Sequence, residues 1–148
     1  EDIFREAIHH LGRNKRKHNI SMHLEDDLLM ANMDARLIIQ VLVNLINNAI
    51  KYTHENSNIS LNARRVEDKI LIEVQDDGNG VLHPDQLFEM FYTENNRGGD
   101  TRRGMGLGLS LCKSIIQSHG GTIWVENVTP HGACFKFVLD AVEVKLYE

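Results

Sequence analysis

The sequence holds two cysteines, no apolar run near the roughly 18 residues of a membrane-spanning helix, and no excess of positive charge. Each shortage removes a class of function. Cys112 and Cys134 stand alone, without metal spacing, and no secretory signal precedes them, so they read as free thiols of a reducing compartment rather than a disulfide framework. The eight histidines are scattered, and none pairs with Cys or His at a familiar zinc spacing. His9 and His10 are adjacent, so on a helix they diverge by about 100° and do not converge on one ion. A formal net charge of −5 argues against general nucleic-acid binding, while local Lys and Arg clusters can still bind a small anion. Repeats and low-complexity tracts are absent. What remains is ordinary for one globular domain with its own core: 148 residues, 42% hydrophobic and 25% charged.

Residues 40–52, reading Q-V-L-V-N-L-I-N-N-A-I-K-Y, organise the chain. On a helix, Ile38, Ile39, Leu42, Leu45, Ile46, Ala49 and Ile50 form one broad apolar arc, suited to a core. Gln40, Asn44, Asn47, Asn48 and Lys51 gather opposite. Asn competes for backbone hydrogen bonds and is a middling helix former, so three of them beside a Lys ask for a reason. A solvated face is one. A ligand face is the other: Asn44 and Asn48 are i,i+4 neighbours, and Lys51 lies one turn beyond Asn48. A neutral oxygen for Mg²⁺ beside a cation for phosphate suits a triphosphate.

Residues 3–17 read as a helix with Ile3, Phe4, Ala7, Ile8 and Leu11 on one stripe and a basic run, 14–17, at its end. Ile20, Met22 and Leu24 alternate as a strand, 25–27 form a turn, and 28–33 read as a short second strand. Asp34 is the expected N-cap of the long helix. After a polar loop over 53–58, the alternations Ile59, Leu61, Ala63 and Ile70, Ile72, Val74 predict a hairpin turning at 66–69. Val81 to Pro84 leads into an expected short helix carrying Leu87, Phe88 and Phe91. Residues 92–103, with two adjacent Gly and three Arg, read as a flexible lid. Leu107, Leu111, Cys112, Ile115 and Ile116 mark a helix stopping at His119-Gly120-Gly121. Residues 122–126 and 133–139 are closing strands, with Phe135, Phe137 and Leu139 inward and a turn over 128–132. The tail, 140–148, reads as an edge strand or a mobile end.

Two further stretches carry chemistry. Continuing the second hairpin strand puts Asp76 on the inward face with Val74, while Asp77 points away. A carboxylate there needs donors, and Gly78-Asn79-Gly80 allows tight turning and close approach of a ligand. A turn-capping role for Asp76 fits the same residues. Downstream, Gly104-Met105-Gly106-Leu107-Gly108-Leu109 opens a helix, whose N-terminal N–H groups suit an anion. It is not a dinucleotide fingerprint, since the glycines run G-x-G-x-G after an Arg-rich loop, and it lacks the terminal G-K-S/T of a P-loop.

In this order the Asn helix, the D-x-G-x-G turn, Phe88-Glu89-Met90-Phe91, the lid and the G-x-G-L-G-L stretch resemble the N, G1, F and G2 boxes of the catalytic, ATP-binding domain of bacterial sensor histidine kinases. His119-Gly120-Gly121 and Gly132-Ala133-Cys134-Phe135 fit the closing pattern, which is most similar to the potassium-responsive Kdp type. The resemblance runs from about residue 3 to 139. It implies the Bergerat (GHKL) fold, an α/β two-layer sandwich with a mixed sheet covered on one face by helices, and ATP with Mg²⁺ held between helices and lid. By resemblance Asn48 is the Mg²⁺ ligand, Asn44 and Lys51 act at the phosphates and in catalysis, and Tyr52 lies beside adenine. Asp76 accepts from the adenine amino group, a pairing that discriminates adenine from guanine. Gly78 and Gly80 admit adenine, Val81 touches it, and Phe91, Tyr92 and Arg97 belong to the box and lid that close on the nucleotide. Gly104, Gly106, Leu107, Gly108 and Leu109 form the hinge that positions lid and phosphates.

In related ATPases of the gyrase and chaperone type, a Glu one turn before the Mg²⁺ Asn acts on the attacking water. That position is Asn44 here, and an amide is no base at neutral pH, so transfer of the γ-phosphoryl to another acceptor is favoured over hydrolysis. Thr93 follows Tyr92 where many relatives carry Arg, which leaves Arg97, Arg102 or Arg103 to supply that charge. His54 stands where relatives often have Pro. The phosphoacceptor box is missing, since His9-His10-Leu11-Gly12 does not match it. The resemblance therefore implies the ATP-binding half of a larger kinase, monomeric alone, with a homodimeric and inner-membrane parent. This half would act in the cytoplasm on a His of a separate dimerisation hairpin, with a response-regulator Asp as onward acceptor. A GHKL ATPase, an anti-sigma-type protein-serine kinase and a nucleotide-binding module without catalysis are the rival readings.

Overall fold

The computed structural model describes residues 2–11, 18–25, 31, 33–51, 53–54, 56–89 and 107–142. Among these, helices α1 (Asp2–His10), α2 (Ala35–Lys51) and α3 (Leu107–Ser118) accompany strands β1 (Asn19–Leu24), β2 (Asn58–Val66), β3 (Lys69–Asp76), β4 (Thr122–Asn127) and β5 (Ala133–Asp140). The sheet runs β1-β2-β3-β5-β4. β1 and β2 are parallel, joined through α2, and the other pairs are antiparallel. This is the expected two-layer sandwich with a mixed sheet.

Strand alternation sets the layers. Leu24, Ala63, Ile72, Phe137 and Ile123 lie side by side across all five strands, as do Met22, Leu61, Val74, Phe135 and Val125. Those rows form the helix-facing side and join the core, where Phe135, Phe137, Leu61 and Val74 are fully buried. The opposite side carries Asn62, Glu73, Lys136 and Trp124 in one row, and Lys136 Nζ pairs with Glu126 at 3.0 Å and Glu73 at 3.6 Å. Leu71 and Cys134 on that side are also buried, which simple alternation does not predict.

α2 buries Ile38, Val41, Leu42, Leu45, Ile46 and Ala49. Ile39 and Ile50 are only partly buried, whereas Val41, outside the expected arc, is fully so. The arc is rotated because α3 packs on that flank: Cys112 Sγ lies 3.8 Å from the Val41 carbonyl. Asp34 caps the helix as expected, its Oδ1 accepting from Arg36 N–H at 3.1 Å. His119, just past α3, adds a long-range tie. Its Nδ1–H donates to Ile115 O at 2.8 Å while Nε2 accepts from Asp34 N–H at 3.0 Å. α3 stops as predicted, with Gly120 at φ 75°, Gly120 N–H to Gln117 O and Gly121 N–H to Ile116 O, both 2.9 Å.

Three expectations change. The first helix ends at His10, with Leu11 N–H turning back to Ile8 O at 3.1 Å. Gly12 follows, and a glycine is a weak helix former. The basic run at 14–17 lies outside the described residues. The expected strand over 28–33 is, among the described residues, a single bridge from Ala31 to Ala141. The expected helix around Leu87 and Phe88 is instead a set of turns, with Gln86 N–H to His83 O and Glu89 N–H to Gln86 O at 3.0 Å. So short a segment does not repay the cost of helix nucleation and is held by its buried side chains. Phe88 meets Phe135 edge to face, ring centroids 5.9 Å apart.

Candidate nucleotide site

α2 delivers Asn44, Asn48 and Lys51 on one face because they are spaced by four and three residues. Asn44 and Asn48 are half-buried and Lys51 is exposed in the last turn. Asn44 is held on two sides. Gln40 Nε2 donates to its Oδ1 at 3.3 Å, and the Cys112 thiol, which burial pushes up to about 12, is its neighbour on α3. Among the described residues no three His, Cys, Asp or Glu side chains converge as a metal cage.

β3 delivers Asp76. In its row it follows Ile20 and Ile59, so a carboxylate occupies an apolar position and is buried. Its Oδ1 accepts from Gly78 N–H at 2.9 Å and Ala133 N–H at 3.3 Å. Burial raises its pKa above the usual carboxylate range, and these two donors only partly counter that. Both bonds fall on Oδ1, which leaves Oδ2 among the described residues to accept from a ligand. Asp77 points the other way, as expected, and accepts from Asn58 N–H at 3.1 Å and Asn58 Nδ2 at 3.1 Å. Asn58 begins β2 just after the segment leaving α2, and the start of β2 pairs with the Asp76 end of β3, so the chain leaving the Asn helix enters the sheet at the end where Asp76 lies.

The turn after Asp76 is shaped by the protein itself. Gly80 has φ 84°, and a Cβ there would fall 2.6 Å from Asn127 Oδ1. Val81 is partly buried against the core. Among the described residues α3 begins at Leu107, so Leu107, Gly108 and Leu109 supply its first-turn N–H groups. A Cβ on Gly108 would meet no atom of the described residues within 4 Å. Tyr52, Phe91, Tyr92, Arg97, Gly104 and Gly106 lie outside the described residues, as do Arg102 and Arg103.

Sequence reading missed the contribution of the β4–β5 connection. Asn127, His131 and Ala133 all bond to residues 76–81. For Asn127 a signal existed: extending the Ile123, Val125 alternation by one step puts residue 127 on the helix-facing side. For His131 there was none, because its partners are over fifty residues away.

Residues 33–143 match the family model described as histidine kinase-, DNA gyrase B-, and HSP90-like ATPase. The chain is 35% identical over 139 residues, 93% of its length, to the sensor protein KdpD of Clostridium acetobutylicum, covering 15% of that protein. It spans well under half the length of the curated relatives it matches. The solved catalytic domain of histidine kinase ThkA superposes with a TM-score of 0.81 at 30% identity, over 94% of this chain and 92% of that one. ThkA in complex with the response regulator protein TrrA gives 0.78 at 29%, over 95% of this chain and 40% of that one. No described helix is long and apolar enough to cross a membrane. The chain thus belongs to the histidine kinase-, DNA gyrase B-, and HSP90-like ATPase family, and its fold and relatives are those of the ATP-binding catalytic domain of a sensor histidine kinase.

Proposed function

We propose that this chain binds Mg-ATP between α2, the Asp76 turn and the start of α3, and donates the γ-phosphoryl to a histidine on a separate helical hairpin of its parent kinase. The observation that carries the reading is an inward carboxylate at the end of β3, with Oδ2 open among the described residues, at the end of the sheet that the chain enters from the amide-and-lysine helix. Asp76 Oδ2 accepts from the exocyclic amino group of adenine, which guanine lacks at that position. Gly78, Gly80 and Val81 form the wall beside the base. Asn44 and Lys51 meet the phosphates, and the N–H groups of 107–109 receive their negative charge. Asn48 holds Mg²⁺ by its amide oxygen. A neutral oxygen donor shared with nucleotide phosphates fits this ion, which keeps several waters and needs no all-protein cage. When bound, it neutralises charge on the phosphates.

Asn44 offers no base to activate water, so the site positions the γ-phosphoryl for an incoming nucleophile rather than for hydrolysis. The acceptor histidine belongs to the dimerisation hairpin of the parent, and a response-regulator aspartate takes the group onward, a partnership supported by the ThkA complex. On this reading the isolated chain is monomeric, works on the cytoplasmic side, and belongs to a homodimeric, inner-membrane parent. Calorimetry with ATP, ADP and GTP tests the pocket: adenine nucleotides bind, GTP does not, and Asn48→Asp weakens the Mg²⁺-dependent part. Equal binding of GTP would overturn the adenine assignment. Mixing with the parent's hairpin and labelled ATP then tests the transfer, which should put phosphate on histidine.

A further inference from the structure

Asn127 closes β4 opposite Ala133, in the same helix-facing row as Asp76. Its side chain makes two bonds to one residue: Oδ1 accepts from Val81 N–H at 2.7 Å and Nδ2 donates to Val81 O at 3.0 Å. An amide carries one donor and one acceptor side by side, so it offers the Val81 backbone what a neighbouring strand would. Four residues on, His131 Nδ1–H donates to Asp77 O at 2.8 Å and to Gly78 O at 3.2 Å. The two segments meet at backbone contact: Gly132 has φ 124°, and a Cβ there would fall 2.2 Å from Asp76 O. Residues 77–83 belong to no helix or strand, so these bonds replace a ladder.

We propose that Asn127, assisted by His131, is a positioning residue for the nucleotide, holding the loop at 77–81 in the shape that presents Asp76 Oδ2 and Val81 to the base. This rests on the adenine reading above. Without the brace the loop must be ordered at each binding event, and that entropy is subtracted from affinity. Ser has one hydroxyl and cannot span both groups, while Asp keeps the shape of Asn but sets an oxygen against Val81 O.

The test combines calorimetry of Mg-ATP with amide hydrogen exchange on the wild type, Asn127→Ala, Asn127→Asp and His131→Ala. Asn127→Ala and Asn127→Asp should each weaken ATP about tenfold and speed exchange at Val81 at least as much, with protection in β3 and β5 unchanged. His131 is exposed, so His131→Ala carries no folding hazard and should cost about threefold. Variants that bind ATP like the wild type overturn the brace alone. Weakened binding together with lost protection throughout β3 and β5 overturns it too, as a general stabilising role. A wild type that binds no adenine nucleotide overturns the adenine reading and the brace with it.

Discussion

Asp76 puts an ionisable carboxyl in a row otherwise held by Ile20 and Ile59, and two consequences are measurable. Its folded-state pKa lies above the ordinary carboxylate value. Its stabilising contribution is therefore fully present below the unfolded pKa, about 3.9, and is lost as pH rises through the folded value. Burial penalises the ionised form of this carboxyl in the nucleotide-free protein. Asp76→Asn keeps the oxygen that accepts from Gly78 and Ala133, and replaces Oδ2 with an NH₂ group. The variant should melt at or above the wild-type temperature at pH 7, with the difference shrinking as pH falls through the carboxylate range. Its affinity for ATP should drop on the order of a hundredfold, because two donors then face each other. Melting curves across pH and calorimetry separate the two effects. The thiols are equally constrained. Cys112 and Cys134 are buried, and burial pushes both up to about 12, with the Glu73 carboxylate adding to the effect at Cys134. Neither should react with a disulfide reagent at neutral pH in the native protein, and both should react once it is unfolded in denaturant.

Elements end where backbone chemistry makes them end, and the close of α3 is the sharpest case. Gly120 has the positive φ, yet a Cβ there would meet no atom of the described residues within 4 Å. A Cβ on Gly121 would fall 2.1 Å from Val138 O, in the backbone of β5. Gly120→Ala should cost about 1–2 kcal/mol, the ordinary penalty for a left-handed residue. Gly121→Ala should cost about 3 kcal/mol or more, since helix and sheet must part to make room. Denaturant titration of the two variants checks that order; the reverse order would mean that the turn, rather than the helix–sheet contact, sets the limit. His119 belongs to the same junction and ties the end of α3 to the N-cap of α2. His119→Ala should lower stability by about 1 kcal/mol through the lost partner of Asp34 N–H, again read from denaturant titration.

For the whole molecule, ligand linkage is the strongest check on the nucleotide reading. ATP at a hundred times its dissociation constant should add about 2.7 kcal/mol to unfolding. For a chain of this size that is a rise in melting temperature of roughly 5–10 °C. GTP at the same concentration should leave the melting temperature unchanged, and Asp76→Asn should remove most of the ATP effect.

Sequence by itself determined the layers and much of the candidate site. Period-two alternation fixed which side of β2, β3 and β5 faces the helices, and the same parity put Asp76 inward and Asp77 outward. Spacing of four and three residues put Asn44, Asn48 and Lys51 on one face of α2, and His119-Gly120-Gly121 announced its own helix stop. These follow from backbone geometry, which each residue carries locally. Tertiary structure alone decided the rest. Val41 is buried because α3 packs on that flank, and Leu87 and Phe88 are anchored in turns because the core holds them without a helix. Gly80, expected to make room for a ligand, is also required by the Asn127 amide, which bonds to Val81 from 46 positions later in the chain. Such contacts depend on which strands become neighbours, and strand order is set by burying the whole sheet at once rather than by any short stretch of residues.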